Sequence, residues 1–232
     1  MAVFQPPVRY ALKADPYSSH SVILNFLGAG EGKRLLDVGS ADGYLAEILS
    51  ARGYEVTCLE GDPDLARRAA GKCRRVVVAD LDHEVPQLDG PYDVIVYGDV
   101  LEHLRDPLRV FSALNRYLAR DGRVCVSVAN VAHLWVRIWL LLGRFDYTER
   151  GLLDRTHLRF FTLRTFRRFL REAEMEVIDL VATPVPLPLV VPERFHGRWL
   201  NLLHGASARV AGLWKRMFGY QFVAVARRAG AR

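Results

Sequence analysis

The chain is poor in cysteine, in long apolar runs and in the signatures of metal or nucleic-acid sites. Its three cysteines, Cys58, Cys73 and Cys125, lack metal-like spacing, and two of them fall in strand-like segments. Buried, reduced thiols are therefore expected, and no metal is assigned to them. The longest apolar stretch, Ile138–Leu142, is far too short to cross a bilayer. The N-terminus lacks a charged region followed by a long apolar segment, which predicts a cytoplasmic protein. There is no internal repeat. No zinc spacing or RNA-binding signature is present, so no nucleic-acid partner is expected.

What the chain does have is length and apolar content. At 232 residues and 50% hydrophobic composition it can bury a sizeable core, and it reads as one domain over 1–232. The net charge is +6, but the arginines are scattered, and solvated helix faces account for them. Only Arg164–Arg171 is densely basic. It lies on a predicted helix whose apolar face is Leu163, Phe166, Phe169 and Leu170.

The most informative stretch is Leu35-Leu-Asp-Val-Gly-Ser-Ala-Asp-Gly-Tyr-Leu-Ala-Glu-Ile-Leu49. Residues 34–38 read as a buried strand, Gly39 and Gly43 permit a tight turn under a ligand, and residues 44–51 have helical apolar spacing. The next strand, 54–59, ends at Glu60, at the distance expected of a carboxylate that grips ribose hydroxyls.

The charges around the turn select the ligand. Asp37 and Asp42 would repel a pyrophosphate, and the full G-x-G-x-x-G spacing is missing. S-adenosylmethionine, with a sulfonium, an ammonium and no phosphate, suits the site. Asp42 either contributes to this attraction or simply caps the helix. Asp37 ends an apolar strand, where an unpaired charge has little structural use.

These residues resemble the Rossmann-like S-adenosylmethionine-dependent methyltransferases, and the resemblance covers most of residues 10–182. Asp80-Leu81 stands where that family puts an acid and an apolar residue beside the adenine. Tyr92-Asp-Val-Ile-Val-Tyr-Gly-Asp-Val-Leu-Glu-His-Leu104 looks like its fourth motif, and Arg120-Asp-Gly-Arg-Val-Cys-Val-Ser-Val128 supplies a turn and a fifth strand. The cofactor set so implied is Asp37, Gly39, Ser40, Ala41, Gly43, Glu60, Gly61, Asp80, Leu81 and Asp99. Ala41 departs from the glycine of many members, a change that is tolerable if the residue keeps a negative φ.

Alternating strands and helices predict an α/β fold with a doubly wound, mostly parallel sheet and helices on both faces. Helices are expected near 18–28, 43–52, 63–71, 104–119, 133–143 and 162–173, and strands near 33–38, 54–59, 75–79, 92–97, 122–128, 175–182 and 219–227. By resemblance, the last strand inserts antiparallel between the fifth and sixth. Residues 1–30 form an N-terminal cap, 131–162 an acceptor-side helix and loop, and 184–218 an insertion before the last strand. That insertion opens with a proline-rich segment and continues in a helical run through Trp199, Leu202, Leu203, Val210, Leu213, Trp214 and Phe218. It either packs as a lid or contacts a membrane surface through 195–218. Packing is the favoured expectation, because its polar face is only modestly basic.

Acids and histidines cluster on the acceptor side: Asp99, Glu102 and His103 after the fourth strand, Asn130 and His133 after the fifth, and Asp154 and His157 before a helix. Methyl transfer needs in-line positioning, and a hydroxyl acceptor must also lose a proton. His157 is the first candidate base, with Asp154 as its orienting partner; His103 and Glu102 complete the catalytic set. His133 alternatively starts a helix, and His103 alternatively braces its loop. Asp99, Glu102 and His103 also resemble a metal-associated pattern of some quinone-biosynthetic O-methyltransferases, but a clear fourth protein ligand is missing.

A narrower resemblance concerns the acceptor. Tyr10, Asp15-Pro16, Ser18-Ser19-His20, the segment 131–144, Gly143–Thr148, Leu153–Thr162 and Tyr220–Val223 resemble a bacterial group associated with glycosyltransferases and surface-polysaccharide assembly. This implies a sugar hydroxyl, or another small hydroxylated metabolite, as acceptor. The alternatives are N-methylation of an amino sugar and a non-catalytic cofactor-binding regulator.

Overall fold

Strands buried on both faces read as continuous apolar runs, and the runs found above form the sheet of the computed structural model, which describes residues 15–230. The strands are β1 (Arg34–Val38), β2 (Glu55–Glu60), β3 (Arg75–Val78), β4 (Tyr92–Gly98), β5 (Leu118–Ala129), β6 (Met175–Ala182) and β7 (Gln221–Arg228). They lie in the order β3-β2-β1-β4-β5-β7-β6. Every pairing is parallel except those of β7, which is antiparallel to both β5 and β6. The last strand thus sits where the sequence placed it. The strand order reverses between β1 and β4, and ligands of such sheets bind outside the carboxyl ends at that switch.

The helices are α1 (Ser19–Leu27), α2 (Tyr44–Ala51), α3 (Pro63–Ala69), α4 (Pro107–Leu114), α5 (Leu134–Leu141), α6 (Leu163–Glu172), α7 (Leu187–Val190), α8 (Arg198–Leu213) and α9 (Lys215–Phe218). Their starts follow local chemistry. Ser18, Asp62 and Asp106 cap α1, α3 and α4, and Thr162 and Thr165 form a reciprocal capping box on α6. The helix expected at 104–119 is shorter than its pattern, because Asp106 and Pro107 fix its start and a 3₁₀ turn at Asn115–Tyr117 ends it. β5 consequently begins at Leu118 rather than near 122.

Alternate residues of each strand feed two cores. Leu36, Tyr97, Phe111, Phe166 and Phe222 pack on one face of the sheet, and Ile23, Leu35, Leu49, Val96 and Cys125 on the other. The apolar face of α6 is buried as expected and its arginines face solvent. Residues 1–14, which include Tyr10 and half of the expected N-terminal cap, lie outside the described residues. The remainder of the cap is anchored: His204 Nε2 on α8 lies 2.9 Å from Asp15 Oδ1, both side chains being buried. The insertion therefore packs back on the domain, through Leu200, His204 and Ala211.

Candidate active site

β1 delivers Asp37 to the switch point, paired in register with Cys58 of β2 and Val96 of β4. Its carboxylate is buried, and Oδ2 has no hydrogen-bond partner. Burial, and then the charge of Glu60, raise this acid to about 7. The turn that follows leaves no room above Gly39: its φ is +67°, and a Cβ there would lie 2.5 Å from Val100 Cγ2. Gly43, at φ +77°, starts α2 in the left-handed region, and a Cβ would meet Ala69 at 2.9 Å. Ser40 Oγ is buried without a partner.

Two expectations about this turn are corrected. Ala41 has φ +49°, not a negative value, and it is held there by donating its N–H to Glu60 Oε2 at 2.8 Å. Asp42 does not cap α2, whose N-cap is Gly43; its carboxylate instead faces Lys72 Nζ at 3.7 Å. Glu60 Oε1 accepts from Asp62 N–H at 2.9 Å, so the one carboxylate ties the glycine turn to the end of β2 while keeping lone pairs for hydroxyl donors. Gly61 lies directly beyond, with only the Ala79 carbonyl and Asp80 near its open side. Asp80 accepts from Asp82 N–H and contacts His83 Nδ1 at 2.8 Å; that histidine, before the backbone bond, holds its carboxyl below the usual range. Leu81 points into the main core rather than out of the edge.

Asp99 closes the floor at the end of β4. It has φ +56°. Its carboxylate accepts from Ser127 Oγ on β5 (2.5 Å), Gln221 Nε2 on β7 (2.8 Å) and Ser19 Oγ on α1 (3.2 Å). All three lie in segments quoted above for the resemblance, Ser18–His20, Arg120–Val128 and Tyr220–Val223, but nothing in their spacing brings them together. Glu102, on the next 3₁₀ turn, is buried. Its Oε1 accepts from Ala129 N–H at 3.1 Å and its Oε2 has no partner. Burial, and then Asp99, push this carboxyl well above the ordinary range, which keeps it protonated near neutrality.

The loop before α6 folds onto this turn. Leu158 and Arg159 both donate backbone N–H groups to the Glu102 carbonyl. That docking stacks His157 edge-on against His103, ring centroids 4.8 Å apart. His157 is buried, and its Nδ1 has no partner. Burial first, then His103, lower its pKa from 6.5 against the opposing pull of Asp154, the Leu152 backbone and Asp99, so the ring is neutral at pH 7. Asp154 does not orient it through a side-chain bond. Asp154 Oδ1 instead accepts from Thr156 Oγ1 at 2.7 Å, and that hydroxyl lies 3.1 Å from His103 Nδ1. Thr156 is thus a link that the sequence did not reveal. His133 caps α5: its Nδ1 accepts from Trp135 N–H at 3.2 Å, the helix-starting alternative. Asp99, Glu102 and His103 turn to different partners, and among the described residues no group of three His, Cys, Asp or Glu side chains could hold a metal ion.

A doubly wound sheet with a glycine turn, carboxylates at the ends of β1, β2 and β4, and no dinucleotide spacing places this domain among the open α/β folds whose ligands lie at the switch point. Residues 14–180 match the family model described as "Methyltransferase domain". The chain belongs to that methyltransferase family, and its fold is that of the S-adenosylmethionine-dependent enzymes. It is 29% identical over 153 residues to the ubiquinone biosynthesis O-methyltransferase of Pseudomonas aeruginosa (strain LESB58), covering 62% of this chain and 61% of that one. The chain thus spans about three-fifths of the length of the curated relatives it matches. Among solved structures it is similar to magnesium protoporphyrin IX methyltransferase from Synechocystis PCC 6803 with bound SAH (TM-score 0.59, 17% identity, 91% and 82% of the two chains). It is likewise similar to the Burkholderia thailandensis 1,6-didemethyltoxoflavin-N1-methyltransferase (TM-score 0.56, 18% identity, 91% and 76%).

Two outcomes follow from the strained, acidic turn. Ala41→Gly removes a left-handed alanine that costs about 1 kcal/mol, and urea unfolding is expected to show unchanged or slightly higher stability, whereas Gly39→Ala lowers it. Asp37 binds its proton up to about 7 in the folded chain but only to 3.8 without that burial. Between those values the folded state holds more protons, so wild-type stability falls as pH rises through the window. Asp37→Asn is therefore expected to raise the melting temperature more at pH 8 than at pH 5; an equal effect at both would contradict this.

Proposed function

We propose that this chain methylates a hydroxyl of a sugar or another small hydroxylated metabolite, with S-adenosylmethionine as methyl donor and His157 as general base. The observation that carries the reading is the state of His157: buried, depressed below 6.5, and with Nδ1 unpartnered beside the acidic edge. A base of this kind is ready to take a proton near neutral pH.

The donor fits the residues present. Buried polar atoms without partners on Asp37 and Ser40 leave a cradle that asks for a cationic ligand with hydroxyl donors. Asp37, Gly39, Ser40, Ala41, Gly43, Glu60 and Gly61 would hold it on the β1–β2 side, with Asp80 at the adenine end and Asp99 at the methionine end. Bound there, it supplies an electrophilic methyl group on a positively charged sulfur. Glu60 offers lone pairs to the ribose, and Asp37 and Asp99 supply negative charge to the cationic portion.

On the other side the chain's own groups order the acceptor. His103 backs the His157 ring, Asp154 fixes Thr156 against His103, and the Glu102 backbone carbonyl ties Leu158 and Arg159 to the turn after β4. These are positioning roles; His157 alone is assigned the proton. A hydroxyl acceptor is supported by the relatives, which are O-methyltransferases by name. The sugar rests on the resemblance over Leu153–Thr162 and Tyr220–Val223.

The test is turnover of S-adenosylmethionine against a panel of hydroxylated acceptors. His157→Ala is expected to lower kcat by about 100-fold or more while leaving cofactor affinity within about threefold, roughly half a kcal/mol. In the wild type, kcat/KM should rise with pH to a plateau with a midpoint below 6.5. Full turnover by the variant would remove the base assignment and favour an amine acceptor.

A further inference from the structure

The helix that leaves the carboxyl end of β5 is built against the usual rule for a surface helix. α5, Leu-Trp-Val-Arg-Ile-Trp-Leu-Leu, is apolar on nearly every side, yet only Val136 is buried in the domain. Such a helix normally lies inside a core or a membrane. Here Trp135 is 57% exposed and Leu141 86% exposed, and Ile138, Leu140, Leu142, Phe145 and Tyr147 continue the exposed ridge. The insertion that leaves the same edge of the sheet, after β6, behaves alike: Leu213 is 89% exposed, with Trp199 and Trp214 at 54% and 55%.

Two distributions along the chain bear on what could cover these segments. All four tryptophans, Trp135, Trp139, Trp199 and Trp214, lie in 131–147 and 184–218, and none is in the buried core. Tryptophan is the side chain that most favours a membrane–water boundary, where its body is apolar and its N–H is wet. The same two segments hold seven arginines and lysines against two acids, Asp146 and Glu193, while the rest of the chain holds 25 basic residues and 24 acids. Five of the six net positive charges therefore sit beside the exposed apolar residues. The basic residues are scattered as the sequence reading had them, about as frequent here as elsewhere; it is the acids that are scarce in these two segments. Arg144 lies over the Trp139 ring at 5.0 Å and Arg194 over Phe195 at 4.8 Å, so in each segment a cation sits against an aromatic ring.

We propose that α5 and the 184–218 insertion seat the domain on an anionic lipid bilayer, with the Trp and Leu side chains in the acyl boundary and the arginines among the headgroups. No helix of the described residues is long and apolar enough to cross a membrane; the contact is interfacial. A protein partner would need acids to meet these arginines, whereas an anionic bilayer supplies both the charge and the apolar layer.

The experiment uses the full chain and vesicles of phosphatidylcholine with or without about one-third phosphatidylglycerol, read by flotation and by tryptophan emission. The wild type is expected to float with the anionic vesicles, with emission shifted to the blue, and to release as salt rises from about 0.1 to 0.5 M. Trp135→Ser/Leu141→Ser/Leu142→Ser and, separately, Arg144→Glu/Arg198→Glu should each weaken binding at least tenfold, roughly 1.4 kcal/mol. All of these are exposed side chains, and unchanged thermal melts confirm the fold. The proposal is overturned if the wild type ignores both vesicles, or if both variants bind as it does. It is equally overturned if sedimentation shows a dimer that the triple variant abolishes while vesicles remain unbound, because the occupant is then a second copy. None of these readouts depends on turnover.

Discussion

The crowding of negative charge at one edge of a parallel sheet is the constraint on which the rest of this structure depends. Asp37, Glu60, Asp99 and Glu102 stand at or just beyond the carboxyl ends of β1, β2 and β4. Two of them are buried with an oxygen lacking any partner. Asp37 and Glu102 are buried, and among the described residues no arginine or lysine is bonded to any of the four, so these two are held toward their protonated forms. A cationic ligand reverses that balance at Asp37.

The backbone is arranged around the same edge. Among the described residues four non-glycine positions have positive φ, and two of them, Ala41 and Asp99, belong to this site. Each is held by side chains from other strands: Glu60 of β2 grips the Ala41 N–H, and Ser127 of β5 both accepts from the Asp99 N–H and donates to its carboxylate. Strain of about 1–3 kcal/mol per residue persists only when neighbours over-determine it. Here the neighbours are the residues the site needs in place anyway.

Much of this was legible in the sequence because it is local. The glycine turn, the strand-ending acids and the 3.6-residue stripe of Leu163, Phe166, Phe169 and Leu170 each lie within a dozen residues, where spacing alone carries the signal. What failed was non-local. The sign of φ at Ala41 depends on a carboxylate 19 residues away, and the partner of Asp154 proved to be Thr156 and through it His103, 53 residues distant. The bonds that hold Asp99 come from 28, 80 and 122 residues away. Leu81 shows a further limit: sequence gives its place at the edge but not whether its side chain faces ligand or core. The asymmetry of charge was present in the sequence, yet it acquired meaning only once exposure showed which segments share it.

The central claim is that this acidic edge binds S-adenosylmethionine through carboxylates on β1 and β2. Isothermal titration of the wild type and of Glu60→Ala with that ligand tests it most directly. The account predicts micromolar affinity, about 8 kcal/mol, in the wild type and a loss of at least tenfold, about 1.4 kcal/mol, in the variant. Absence of binding by the wild type, or equal affinity in both proteins, would contradict it.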